Sequence, residues 1–151
     1  MKFDQNQKDE LNKIFRENDV CLAYLFGSAA KGEPGPLSDL DFAILFSKDA
    51  PQEKYFKAEL NIAGEIGSLF KINRVDVINL ATVNNPLLKH NAVFGGEVIF
   101  STDQKIKFAV ERKIMMEYED TKQLRETAYS ILRRQIKDGR FGTAKLYVPA
   151  K

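Results

Sequence analysis

Two apolar runs dominate the first third of the chain, Val20-Cys21-Leu22-Ala23-Tyr24-Leu25-Phe26 and Phe42-Ala43-Ile44-Leu45-Phe46. Each has the length and composition of a buried strand. What joins them has a different character: Gly27-Ser28, ten residues, and then Asp39-Leu40-Asp41. A small-residue turn therefore ends the first strand, and two carboxylates open the second, at facing ends of neighbouring strands. Few folds accommodate that pattern without using it.

Alternation fixes where the carboxylates point. Residues i and i+2 of a strand share a face, about 6.6–6.8 Å apart. Asp39 and Asp41 thus project together, with Leu40 and Phe42 turned the other way. Two ionised carboxylates so placed repel each other unless a cation lies between them. Mg²⁺ is a hard cation that takes oxygen ligands, and a pair of ions about 3.5–4 Å apart suits such a site when a third carboxylate helps. The candidate third is Asp76, within Arg74-Val75-Asp76-Val77-Ile78-Asn79-Leu80. Val75, Val77 and Ile78 are expected to be buried, and an acid among them is costly unless paired or metal-bound. Gly27 and Ser28 allow close backbone approach and offer donors to phosphate groups. No GxxxxGK[ST] follows a strand, so this is not a P-loop. Taken singly, a Gly-Ser turn or an Asp-x-Asp at a strand start is as well explained by turn or capping geometry.

The rest of the chain supplies a frame. Residues 4–17 read as a helix capped by Asp4 or Asn6, with Leu11, Ile14 and Phe15 on one face. Ala29–Lys31 has room for one helical turn before the Gly and Pro residues of 32–37, and Ser38 can hydrogen-bond locally beside Asp39. Residues 52–70 read as a helix, so the strand that follows must cross over to a neighbouring position in the same sheet. A short helix begins at Asn85-Pro86, and Glu97–Phe100 reads as a last strand. His90 stands alone, without a second His or Cys at metal spacing. From 103 to about 138 the pattern is helical, with a possible break at Asp120-Thr121. Ile106, Val110, Ile114 and Met115 form one stripe; Leu124, Ala128, Ile131 and Leu132 form another. The whole predicts an α+β domain: a small mixed sheet packed with helices, plus a C-terminal helical extension.

Composition narrows the function classes. A chain of 151 residues, 44% apolar and 29% charged, has the profile of a single globular domain. No 18-residue apolar run exists to span a membrane, and residues 1–6 lack a signal-peptide core. The lone Cys21 allows no internal disulfide and suits a buried strand position, so a cytoplasmic protein is expected. The net charge of +2 is too small to indicate nucleic-acid binding, but it is unevenly spread. Residues 1–102 carry 11 Lys/Arg against 14 Asp/Glu, and residues 103–151 carry 12 against 7. The basic tail suits something anionic, whether triphosphate, nucleic acid or an acidic partner.

Gly27-Ser28, ten residues, Asp39-Leu40-Asp41 resembles the signature of the DNA polymerase β-type nucleotidyltransferase superfamily. The short chain is similar to its minimal nucleotidyltransferase branch, whose members are often antitoxins paired with a HEPN-domain toxin. The resemblance implies a nucleotidyltransferase core over 1–102 and a helical extension over 103–151. It further implies transfer of AMP from ATP to a hydroxyl, in the toxin case a tyrosine, with two Mg²⁺ ions. Asp39, Asp41 and Asp76 would be the catalytic metal ligands, and Gly27, Ser28, Lys31 and Ser38 would contact the nucleotide. Many relatives carry arginines where this chain has Ala29 and Lys31, which bears on triphosphate affinity, since lysine lacks the bidentate guanidinium fork. A small-molecule hydroxyl acceptor, and a binding module that silences a toxin by contact alone, remain open at this point.

Overall fold

We describe the protein from a computed structural model, over residues 3–30, 39–140 and 142. The first helix, α1 (Gln5–Glu17), starts where its cap predicts. Asp4 Oδ1 accepts from the Gln7 amide at 2.8 Å and Gln7 Oε1 accepts from the Asp4 amide at 3.0 Å, a reciprocal capping box. Strand β1 (Val20–Phe26) follows, then a single helical turn, α2 (Gly27–Ala30). Strand β2 spans Leu40–Phe46, one residue later than the alternation suggested, since Asp39 precedes the ladder. A short 3₁₀ turn at Gln52–Lys54 leads into α3 (Tyr55–Phe70). The remaining elements are β3 (Val75–Asn79), α4 (Pro86–Phe94), β4 (Glu97–Ser101), α5 (Gln104–Asp120) and α6 (Lys122–Lys137).

The four strands form one mixed sheet in the order β3-β2-β1-β4. β1 is antiparallel to both β2 and β4, while β2 and β3 are parallel and joined through α3. That crossover is what the strand–helix–strand pattern required. Helices cover both faces. Leu40, Phe42, Ile44 and Phe46 of β2 turn toward α1 and α3 and pack with Leu11, Phe15, Ile62 and Ile66. Ala43 and Tyr24 turn the other way, toward Ala92 and Val93 of α4 and Ile114 of α5. β1 has register shifts on both ladders, near Cys21 and at Ala23/Tyr24. Its alternation accordingly slips: Val20, Ala23 and Leu25 join the first core and Cys21, Leu22 and Tyr24 the second.

One expectation fails. Asp76 is exposed and its neighbours Val75, Val77 and Ile78 are half-buried rather than enclosed. β3 lies at the sheet's edge, so desolvation does not make Asp76 costly there. Whatever holds Asp76 to a role comes from its neighbours across the ladder. The helical tail does break at Asp120-Thr121, as the sequence suggested. Among the described residues no helix is long and apolar enough to cross a membrane.

The packing yields a contrast in stability. Phe15 is fully buried, with ring centroids 5.9 Å from Phe42 and 5.7 Å from Phe100. Phe15→Ala should lower the unfolding free energy by about 3–5 kcal/mol in urea titration. Phe56→Ala, at a side chain on the solvent face of α3, should stay within about 0.5 kcal/mol of the parent.

Candidate active site

The site is built at the end of the sheet where β1 finishes and β2 and β3 begin. Ladder pairing does the assembly. Phe26 stands opposite Asp41 on the antiparallel ladder, and Asp41 stands opposite Asp76 on the parallel one. Asp39 sits just before β2, where the Leu40 amide donates to the Arg74 carbonyl at 3.2 Å and fixes the entry of β2 beside β3. Three residues that are 37 positions apart at most are thus drawn to one edge of the sheet.

Gly27 makes the approach possible. Its φ is +73°, in the left-handed region, and a Cβ placed on it would lie only 2.1 Å from Asp41 Oδ2. Both facts demand glycine. The turn that ends β1 therefore lies against the Asp41 carboxylate, with exposed Ser28 next along the chain.

The electrostatics are those of clustered carboxylates. Burial pushes the Asp41 carboxyl above its ordinary range, and the charges of Asp76 and then Asp39 push it further. Asp39 Oδ1 is buried without a hydrogen-bond partner among the described residues. Among the described residues its ion-pair partner is the exposed guanidinium of Arg74, whose Nη1 is 3.9 Å away, too far for a hydrogen bond. An orphaned oxygen, a carboxyl raised by its neighbours and an all-oxygen donor set fit a hard divalent cation such as Mg²⁺. No three acid, imidazole or thiol side chains among the described residues are already gathered to ion-binding distance.

Asp39, Asp41, Asp76, Gly27 and Ser28 all come to this end of the sheet. Lys31 and Ser38, the other two candidates for nucleotide contact, lie outside the described residues. Arg74 was missed in the sequence, although a signal existed. It stands two positions before Asp76 and so starts the same strand face. His90 is not part of the carboxylate cluster. Its ring stacks on Tyr118, centroids 3.8 Å apart, between α4 and α5.

Residues 9–105 match the family described as "Polymerase beta, Nucleotidyltransferase". The chain belongs to this family and is a nucleotidyltransferase, with the mixed sheet and helices of that fold. Among its relatives, it is 30% identical over 117 residues to the protein adenylyltransferase MntA of Aphanizomenon flos-aquae (strain 2012/KM1/D3). That alignment covers 70% of this chain and 73% of the relative. Its fold is shared with solved toxin–antitoxin structures. One, crystallised with AMP-PNP, superposes with a TM-score of 0.70 at 23% identity, covering 83% of this chain and 98% of that one. Another is a tri-AMPylated Shewanella oneidensis HEPN toxin in complex with its MNT antitoxin, with a TM-score of 0.66 at 21% identity over 85% and 98% of the two chains.

The raised Asp41 carboxyl sets a sign for stability. A carboxylate whose folded pKa exceeds its unfolded value costs stability as pH rises through that interval, because the folded state must ionise against its neighbours. Asp41→Asn removes this cost. The variant should melt at a higher temperature than the parent at pH 7, and the gap should close near pH 3, where the parent carboxyl is protonated. Gly27→Ala should melt lower than the parent at either pH, since Cβ and the Asp41 carboxylate cannot share the space.

Proposed function

We propose that this protein transfers AMP from ATP to a hydroxyl on a protein partner, a tyrosine of a cognate HEPN-domain toxin, in the cytoplasm and with Mg²⁺. The observation that carries the reading is the cluster at one sheet end: Asp41 raised by two neighbouring carboxylates, pressed against a glycine turn, beside an orphaned Asp39 oxygen. The relatives supply the acceptor class. One bears the name protein adenylyltransferase, and a fold neighbour is an antitoxin complexed with an AMP-bearing HEPN toxin.

In this mechanism Asp39, Asp41 and Asp76 hold the Mg²⁺ ions. When bound, these supply positive charge to the triphosphate and lower the cost of the charge that develops at phosphorus. Gly27 and Ser28 present backbone and hydroxyl donors to the β- and γ-phosphates. Lys31 and Ser38 complete the nucleotide contacts as expectations from the motif. Arg74, exposed and 3.9 Å from Asp39, would be available to phosphate oxygens. It offers the guanidinium that Ala29 and Lys31 do not. The acceptor oxygen attacks the α-phosphorus, the bond to the bridging oxygen breaks, and pyrophosphate leaves. Asp76 is solvent-exposed and takes the proton that the acceptor hydroxyl loses. Positioning and charge compensation do most of the work, since the protein forms no covalent bond to the substrate.

The test is intact-mass analysis of the purified chain with ATP, Mg²⁺ and the product of the neighbouring gene. That product should gain one or more AMP masses. Asp41→Asn should reduce the rate by at least about 100-fold, since even groups that only support metal ligands cost about 10–100-fold when removed. A stable complex with no mass gain would leave contact alone as the neutralising act. Neither gain nor complex would redirect the search to small-molecule hydroxyls. A parallel melting experiment checks the metal. Mg²⁺ alone should raise the melting temperature of the parent at pH 7 and leave that of Asp41→Asn unchanged.

A further inference from the structure

Helix α6 has no buried residue, and a chain of contacts ties its first turn to the catalytic end of the sheet. Gly96 follows α4 and lies so close to the end of β1 that a Cβ on it would meet the Leu25 carbonyl at 2.6 Å. Further back in α4, the His90 ring stacks on Tyr118 of α5, with centroids 3.8 Å apart. The Arg125 guanidinium of α6 lies 3.7 Å over the same tyrosine ring, and its Nη1 donates to the Tyr118 carbonyl at 2.6 Å. The 16-residue helix, about 24 Å long, runs on from that anchor.

Two features of this helix are not used by the described domain. Leu124, Ala128, Ile131, Leu132 and Ile136 recur at helical spacing, and Leu124, Ile131 and Ile136 are 71%, 53% and 57% exposed. The charge of α6 is one-sided. It holds five cations, Lys122, Arg125, Arg133, Arg134 and Lys137, against the single acid Glu126, a net +4. At 100° per residue, Tyr129 borders the apolar stripe, and Lys122, Arg133 and Lys137 follow at about 20°, 40° and 80° beyond it, with Glu126 among them. None of Lys122, Arg133 and Lys137 is in an ion pair among the described residues.

We propose that α6 is the docking helix for the protein that accepts AMP, and that it lies in an apolar groove of that protein bordered by Asp and Glu; this inference rests on the protein-acceptor reading above. A helix laid into a groove by its apolar side is a recurrent mode of recognition. Stripe and charge together select the occupant. A second copy of α6 would set two helices of net +4 side by side, like charge against like. A nucleic acid would satisfy the cations and leave Leu124, Ile131 and Ile136 in water. An acidic, apolar protein surface answers both features, and the acceptor protein has to come to the end of the molecule where α6 begins. The apolar contacts then set how long the complex lasts, and the basic border sets how fast it forms.

Steady-state AMP transfer to the product of the neighbouring gene, followed by intact mass at varied concentrations of that product, tests the surface. Ile131→Glu should raise KM for the product at least about tenfold and leave kcat and KM for ATP unchanged. Its circular dichroism should match the parent, since no residue of α6 is buried. Arg133→Glu combined with Lys137→Glu should raise the same KM and flatten its dependence on NaCl between about 50 and 300 mM. Gln123→Glu, on the far side of the helix from the stripe, should behave as the parent. Stripe and border variants that keep the parent KM would overturn the docking role and leave AMP transfer to a protein standing. So would loss of binding to phosphatidylglycerol vesicles or duplex DNA in those variants with KM for the product unchanged, which would give α6 to a membrane or a nucleic acid. A parent that neither modifies nor binds the product would overturn both readings.

Discussion

Everything at the catalytic end of the molecule hangs on how β1 and β2 pair. Their antiparallel register sets Phe26 opposite Asp41, so the residue after Phe26 must pass within contact distance of a carboxylate. Only a glycine with a positive φ can do so. The same β2 residue is paired on its other side with Asp76. One strand register thus brings together the turn that can receive phosphates and the acids that can hold cations. Slipping β2 by one position would turn Leu40 and Phe42 away from the core and Asp41 into it. The apolar contacts of Phe42 and Ile44 with α1 and α3 therefore do more than stabilise the sheet; they hold the carboxylates in place.

That arrangement opposes folding locally. Three acids converge where burial already disfavours charge at Asp41, and an Asp39 oxygen is left without a partner. The domain tolerates this because two cores, one on each sheet face, are complete without the site. Polar links also lock the second layer. Tyr24, fully buried, donates to Glu111 at 3.2 Å, and Glu111 pairs with Lys107 at 3.0 Å. Lys89 of α4, nearly enclosed, pairs with Glu117 of α5 at 2.9 Å. Burial, the Glu111 charge and the hydrogen bond to it all push the Tyr24 hydroxyl upward, so it remains a proton donor across the ordinary pH range. Such pairs contribute little net free energy but are costly to break singly, which fixes how α4 and α5 sit on the sheet.

How much of this was legible in the sequence depends on the range of the interaction responsible. The two apolar runs, the Asp4 cap, the crossover through α3 and the break at Asp120-Thr121 are local signals, and the structure reproduces them. The identity of Asp39 and Asp41 as a pair came from alternation, which is local too. Asp76 stands out as an acid in an apolar stretch, but its exposure is not legible there, because edge position is a property of the sheet and not of the strand. The bulges in β1 are equally invisible, since an apolar run looks the same whether or not its alternation slips. Arg74 was overlooked because its partner, Asp39, is distant in sequence and joined to it only by the parallel pairing of β2 and β3.

The two faces of the sheet have different relations to the site. Asp41 shares its side of β2 with Ala43, and Asp76 shares its side of β3 with Ile78; both Ala43 and Ile78 pack in the core under α4 and α5. The carboxylates therefore point to the α4–α5 side, and α1 and α3 lie behind them. Gly96, at the turn from α4 into β4, comes so near the β1 end that a Cβ there would meet the Leu25 carbonyl at 2.6 Å. The C-terminal end of α4 thus borders the catalytic end of β1. The Lys89–Glu117 and Tyr24–Glu111 links hold α4 and α5 in position on that side of the sheet. The helices thus form one border of the carboxylate cluster, in which burial and the neighbouring charges together raise the Asp41 carboxyl.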